Sequence, residues 1–112
     1  MEFKELTQIS QLNDVDRRSG IKLQIIFKHS INCSTSMMAK RILISEMASA
    51  DASKMDIYYL DLINHRDVSN HIAMRYFAQH ESPQLLVIKE GKCIYNASHS
   101  DVSLTLALDS IK

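Results

Sequence analysis

Polar and apolar residues follow one another along this chain in short blocks whose period changes from block to block, and those changes outline the fold. Between Glu5 and Arg17, Leu6, Ile9, Leu12 and Val15 recur every third residue, the face of a short amphipathic helix. Ile21 to Phe27 begins by alternating and ends in an unbroken apolar run, which predicts a strand buried on both faces at its far end. From Ser34 to Met47 the apolar residues Met37, Met38, Ile42, Ile44 and Met47 return with a helical period, uninterrupted by glycine or proline. Met55 to Leu62 is rich in β-formers and reads as a strand; Asp67 to His80 carries Val68, Ile72 and Phe77 on or near one helical face. Gln84 to Lys89 is a further strand, turned by Glu90-Gly91-Lys92 into Cys93-Ile94-Tyr95 as its hairpin partner. Leu104, Leu106, Leu108 and Ile111 predict a last helix, with its N-cap at Ser100 or Asp101.

The resulting order is helix, strand, helix, strand, helix, strand, strand, helix. A strand–helix–strand unit closes a parallel pair by a right-handed crossover, and the hairpin adds antiparallel strands. This predicts an α/β protein with a mixed four-stranded sheet and helices on both faces. At 112 residues and 46% hydrophobic content the chain suits one domain, residues 1–112, with an ordinary core.

Thirteen basic and thirteen acidic residues cancel, so no net charge draws the chain to nucleic acid or to an anionic membrane; the expected partners are soluble. Two cysteines are too few for a disulfide-stapled scaffold, and Met1 to Leu6 lacks the apolar run of a signal peptide. The expectation is a cytoplasmic protein in a reducing compartment.

The candidate chemistry centres on Cys33, which lies between a strand-like and a helix-like run. A cysteine at a helix N-terminus is a place where the thiolate is stabilised: a free thiol has a pKa of about 8.5, and one so placed can fall to ~7 or below. Lys28 and His29 add positive charge if their side chains turn toward it. From position alone Cys33 is either such a reactive thiol or a small buried hydrophobe. The position three residues on, which completes a Cys-x-x-Cys redox pair elsewhere, is Ser36. A reactive Cys33 therefore has no resolving thiol there, and an external small thiol must discharge it. Cys93 is read as structural, since nothing in the spacing brings it to Cys33. No metal site is expected from Cys33, Cys93, His29 and His99, whose spacing lacks the close pairs of zinc sites. His80 and His99 border the expected site, as substrate contacts or as solvated histidines.

Element order and size match the thioredoxin fold, in which the reactive cysteine follows the first central strand and a cis-proline precedes the third, as Cys33 and Pro83 do here. With no N–H of its own, a cis Pro83 leaves the Ser82 backbone free to pair with an extended substrate beside Cys33.

Four blocks carry a closer likeness: His29-Ser30-Ile31-Asn32-Cys33-Ser34-Thr35-Ser36, Tyr59 to Asn70 with His65-Arg66-Asp67-Val68-Ser69-Asn70, His80-Glu81-Ser82-Pro83-Gln84, and Ala97-Ser98-His99-Ser100-Asp101-Val102. In this order the chain resembles the YtxJ family, the monothiol bacilliredoxins. The resemblance implies a thiol–disulfide oxidoreductase with Cys33 as nucleophile. It would remove bacillithiol, a small cytoplasmic thiol of some bacteria, from mixed disulfides on other proteins. Ser34, Ser36, Ser82, Pro83, His29 and His99 would meet the substrate, with bacillithiol as co-substrate and no bound cofactor. The chain departs from the family at Ser34, where members usually carry proline. A thioredoxin-like binding module with an inert cysteine, and a monothiol redoxin serving another small thiol such as glutathione, are the alternative readings.

Overall fold

A computed structural model describes residues 1–112. Its elements are β1 (Lys4–Glu5), α1 (Gln11–Arg18), β2 (Leu23–His29), α2 (Ser34–Met47), β3 (Met55–Asp61), α3 (Arg66–Arg75), β4 (Gln84–Lys89) and β5 (Lys92–Ser98), then a single 3-10 turn (His99–Asp101) and α4 (Leu104–Ser110). The sheet order is β1-β3-β2-β4-β5; β1 and β2 run parallel to β3, while β4 is antiparallel to β2 and β5.

The mixed α/β arrangement is the one the sequence pattern predicts, with one more strand. Two-residue β1 pairs Lys4 and Glu5 with Tyr58 and Tyr59, and is too short for a period of two to register. Continuous apolar runs in β2 and β4 are shared between two layers, because successive side chains of a strand point to opposite faces. Ile26, Leu86 and Ile88 pack with Leu12 and Val15 of α1 and Val68 and Ile72 of α3. Ile25, Phe27, Leu85 and Val87 pack with Ala39, Leu43 and Met47 of α2 and Leu104 and Ala107 of α4.

Several boundaries differ from the sequence reading. The first helix starts at Gln11, since the Gln11 amide folds back to accept from the Thr7 and Gln8 N–H groups (2.8 and 2.9 Å), holding residues before it in a turn. The third ends at Arg75, and Phe77, with φ of 53°, turns the chain out of helical conformation. The last is capped by Ser103, whose hydroxyl accepts from the Leu106 N–H, while Ser100 and Asp101 belong to the 3-10 turn. Glu46 of α2 completes that cap, accepting from the Ser103 hydroxyl (2.6 Å) and from the N–H groups of Leu104 and Thr105. Burial pushes the Glu46 carboxyl up, but these three donors hold it below its ordinary range. Most important for the site, β2 continues past Phe27 through Lys28 and His29.

The other end of the sheet is pinned by Asp56, 5% exposed at the start of β3. One of its oxygens takes Lys4 (2.9 Å) and Lys22 (3.1 Å), the other Arg18 (2.9 Å) and the Gln24 amide (2.8 Å). Burial pushes the carboxyl up, but the hydrogen bonds from Gln24, Arg18, Lys4 and Lys22 win and hold it well below the usual carboxylate range.

Candidate active site

Cys33 stands at the N-cap of α2 in extended conformation (φ −117°, ψ 121°), at the mouth of the loop leaving β2. Its N–H donates to the Ser30 carbonyl (3.2 Å) and its carbonyl accepts the Met37 N–H (3.1 Å), so the loop closes into the helix through Cys33's own backbone. The thiol is free, partly exposed and makes no capping hydrogen bond. Sγ is thus uncommitted where the first-turn amides of α2 begin.

Ser36, at the place of an absent resolving thiol, is fully buried and fully engaged. Its Oγ accepts the Ser30 N–H (3.0 Å) and lies 2.7 Å from His29 Nδ1. The hydroxyl and Nδ1 share one hydrogen bond, its donor set by the imidazole tautomer. His29 is 2% exposed, its ring against Phe27 and Tyr59 with centroids 5.5 and 5.4 Å away. Burial, and secondarily the Lys40 charge, lower its pKa. The sequence reading gave His29 and Lys28 the task of adding positive charge beside the sulfur. Instead His29 is buried and tied to Ser36, with burial disfavouring its charged form, and Lys28, on the opposite face of the strand, is sealed beneath α3.

Lys28 is 0% exposed and has no carboxylate within ion-pair distance. Its ammonium donates to the Ser69 carbonyl (3.1 Å) and to His80 Nδ1 (3.3 Å), which also faces the Ser69 hydroxyl at 3.2 Å. Burial lowers the Lys28 pKa to about 8. Burial and then the Lys28 charge lower that of His80.

Pro83 is buried and the Ser82–Pro83 bond is cis. The Pro83 carbonyl accepts the His99 N–H (2.9 Å), and the His99 ring stands 3.4 Å from the Glu81 carboxylate. Ser34 and His99, both expected at the site, line one groove of about 360 Å³ with Thr35, Met38, Ser100 and Val102. It runs between the first turns of α2, immediately after Cys33, and the 3-10 turn. A larger groove of about 600 Å³ lies at the far end of the sheet, around Gly20, Met55 and Ile111, and holds no thiol. Ile31 in the loop, and Met37, Met38 and Ile42 on α2, are all exposed. From the sequence Met37 and Met38 read by default as packing for α2, and otherwise as exposed residues near the thiol that help bind varied partners; they are exposed. Set round the thiol, they form an adaptable apolar surface.

Cys93 is remote. Through β4 it stands level with Gln24, five residues before His29 on β2, or about 17 Å at ~3.3 Å per residue. A disulfide needs Cα atoms within about 7 Å. Burial pushes the Cys93 thiol up, and its Sγ donates to the Tyr95 carbonyl at 3.3 Å.

Cys33 is thus a partly exposed thiol at a helix start, with a locked serine where a partner would be. The family model described as monothiol bacilliredoxin BrxC matches residues 4–106. This chain belongs to the monothiol bacilliredoxin family. That match spans the Cys33 loop, the Ser82–Pro83 segment and the His99 turn together. Among solved structures, a thioredoxin-fold protein of proposed oxidoreductase activity is 28% identical, with a TM-score of 0.78 over 96% of this chain and 92% of its own. Thioredoxin from Malassezia sympodialis (16% identity, TM-score 0.76, 98% and 90% covered) shares the fold. So does that from Schistosoma mansoni (15%, 0.75, 99% and 96%). The chain is therefore a thioredoxin-fold member of a thiol-redox family.

Proposed function

We propose that this protein removes bacillithiol from protein mixed disulfides by a monothiol mechanism at Cys33. The observation that carries the reading is Ser36: the place of a resolving thiol is a buried hydroxyl held by His29 and Ser30, and Cys93 is far off. The Cys33 thiolate attacks the bacillithiol sulfur of the mixed disulfide. A new S–S bond forms as the old one breaks, and the target protein leaves as a thiolate that takes a proton from solvent. A second bacillithiol, as thiolate, then attacks the adduct on Cys33. This releases oxidised bacillithiol and restores the Cys33 thiolate, so two electrons pass from small thiol to target with no internal disulfide.

The groove lined by Ser34, Thr35, His99 and Ser100 begins at the residue after Cys33 and offers hydroxyl, imidazole and backbone groups to the polar body of the small thiol. The exposed Ile31, Met37 and Met38 surface offers a landing for varied protein targets. Strand-like pairing of a target segment with the Ser82 backbone belongs to the same reading.

Discharge kinetics test the mechanism. With the Cys33 adduct preformed, its rate of loss should rise in proportion to added bacillithiol and extrapolate to zero without it. A substantial rate at zero added thiol would mean an internal thiol resolves the adduct, and the monothiol reading would be lost.

A further inference from the structure

The last two residues of β2 hold the two halves of the site from opposite faces of one strand. His29 holds the thiol half: it bonds Ser36, three residues after Cys33, in the first turn of α2. Lys28 reaches the proline half: it bonds His80, three residues before Pro83, and its backbone pairs in register with Gln84, the residue after Pro83. The segment between is otherwise held by the Gln84 amide donating to the Gln79 carbonyl (3.0 Å), by the His99 N–H donating to the Pro83 carbonyl (2.9 Å), and by the partly exposed Glu81 carboxylate 3.4 Å from the His99 ring. The Ser82 hydroxyl is buried without a partner. His80 itself lies exposed on its outer side, so without Lys28 and Ser69 little would fix it.

A buried ammonium with no carboxylate is an unfavourable thing to keep, and an apolar side chain of similar length generally leaves a core as stable or more so. Its presence here calls for a task other than stability. We propose that Lys28 is a positioning residue for the protein substrate. Through His80 it fixes the Ser82–Pro83 segment at the distance from Cys33 that an extended peptide must span, leaving the thiol's own reactivity alone. The proposal rests on Cys33 being the nucleophile and not on bacillithiol being the small thiol.

The test compares two disulfides that differ in reach. One is a compact aromatic disulfide, the other an extended peptide whose cysteine carries the same aromatic thiol. In each, Cys33 forms a new S–S bond and expels the coloured aromatic thiolate, with no net oxidation. Lys28→Met should have a urea midpoint at or above wild type and react with the compact disulfide within about twofold. Its second-order rate constant for the peptide, read in this single turnover, should be about tenfold lower, the loss residing in the half-saturating peptide concentration and not in the maximal rate. His80→Ala should show the same split, and the double variant should be no worse than either single one, since both act through one contact. Unchanged peptide kinetics in either variant, or equal slowing toward both disulfides, would overturn the proposal. A Cys33→Ala variant that reacts with the compact disulfide as fast as wild type would remove the nucleophile itself, and the positioning role with it. Inactivity toward bacillithiol alone would leave these rates, and so the positioning role, standing.

Discussion

Cys33→Ser should lower the release of bacillithiol from a modified protein to the rate measured with no enzyme, while Cys93→Ser should stay within about twofold of wild type. Serine keeps the size and the N-cap preference of the position but not a nucleophile able to attack a disulfide sulfur, so fold and thiol chemistry separate in this variant. Cys93 sits level with Gln24, far along the sheet from the Cys33 loop, and hydrogen-bonds within its own strand. Monitoring the freed target thiol spectroscopically checks both variants; strong loss in Cys93→Ser together with retained turnover in Cys33→Ser would reverse the assignment.

Asp56→Ala should bring the largest loss of stability, about 2–4 kcal/mol in urea unfolding at neutral pH. Removing one partner of a buried ionic cluster typically costs ~3–5 kcal/mol; here Lys4 and Arg18 are half-exposed, so their charges regain water and the loss is smaller. Gln24, fully buried, loses an acceptor and has no water to replace it. Because the folded carboxyl is held below its unfolded value of ~3.9, its contribution is present above about pH 4 and fades as pH falls through the folded value. The gap between wild type and Asp56→Ala should therefore narrow in acid. Both proteins should alkylate at Cys33 at similar rates, since Asp56 lies at the opposite end of β2 and β3 from the thiol loop.

The order of the major elements was readable because β2, α2, β3 and β4 carry strong periods, and because glycine and proline are too few to blur the boundaries. The fifth strand was not, since two residues carry no period. Nor was the true end of β2, where polarity at Lys28 and His29 masks an alternation that in fact continues, one side chain to each buried face. That masking hid the most informative polar contacts of the site. A lysine directly after Ile25-Ile26-Phe27 was the available signal, for a charged residue extending an apolar strand must find partners inside. Cys33, Ser36 and Pro83 were legible as residues. Their geometry was not, because Ser36 is locked by a histidine seven residues away and the Pro83 segment by a backbone bond from His99. Packing and exposure both stayed open for Met37 and Met38, since period alone does not say which face of α2 meets the sheet.

The central claim is that one thiol, Cys33, carries the small thiol between target and solvent. Intact-mass spectrometry after mixing with a bacillithiolated protein, with peptide mapping of the adduct, tests it most directly. The account predicts a single bacillithiol adduct confined to Cys33, lost on adding free bacillithiol and absent in Cys33→Ala. An adduct on Cys93, an intramolecular disulfide, or no adduct under conditions where the target is released would contradict it.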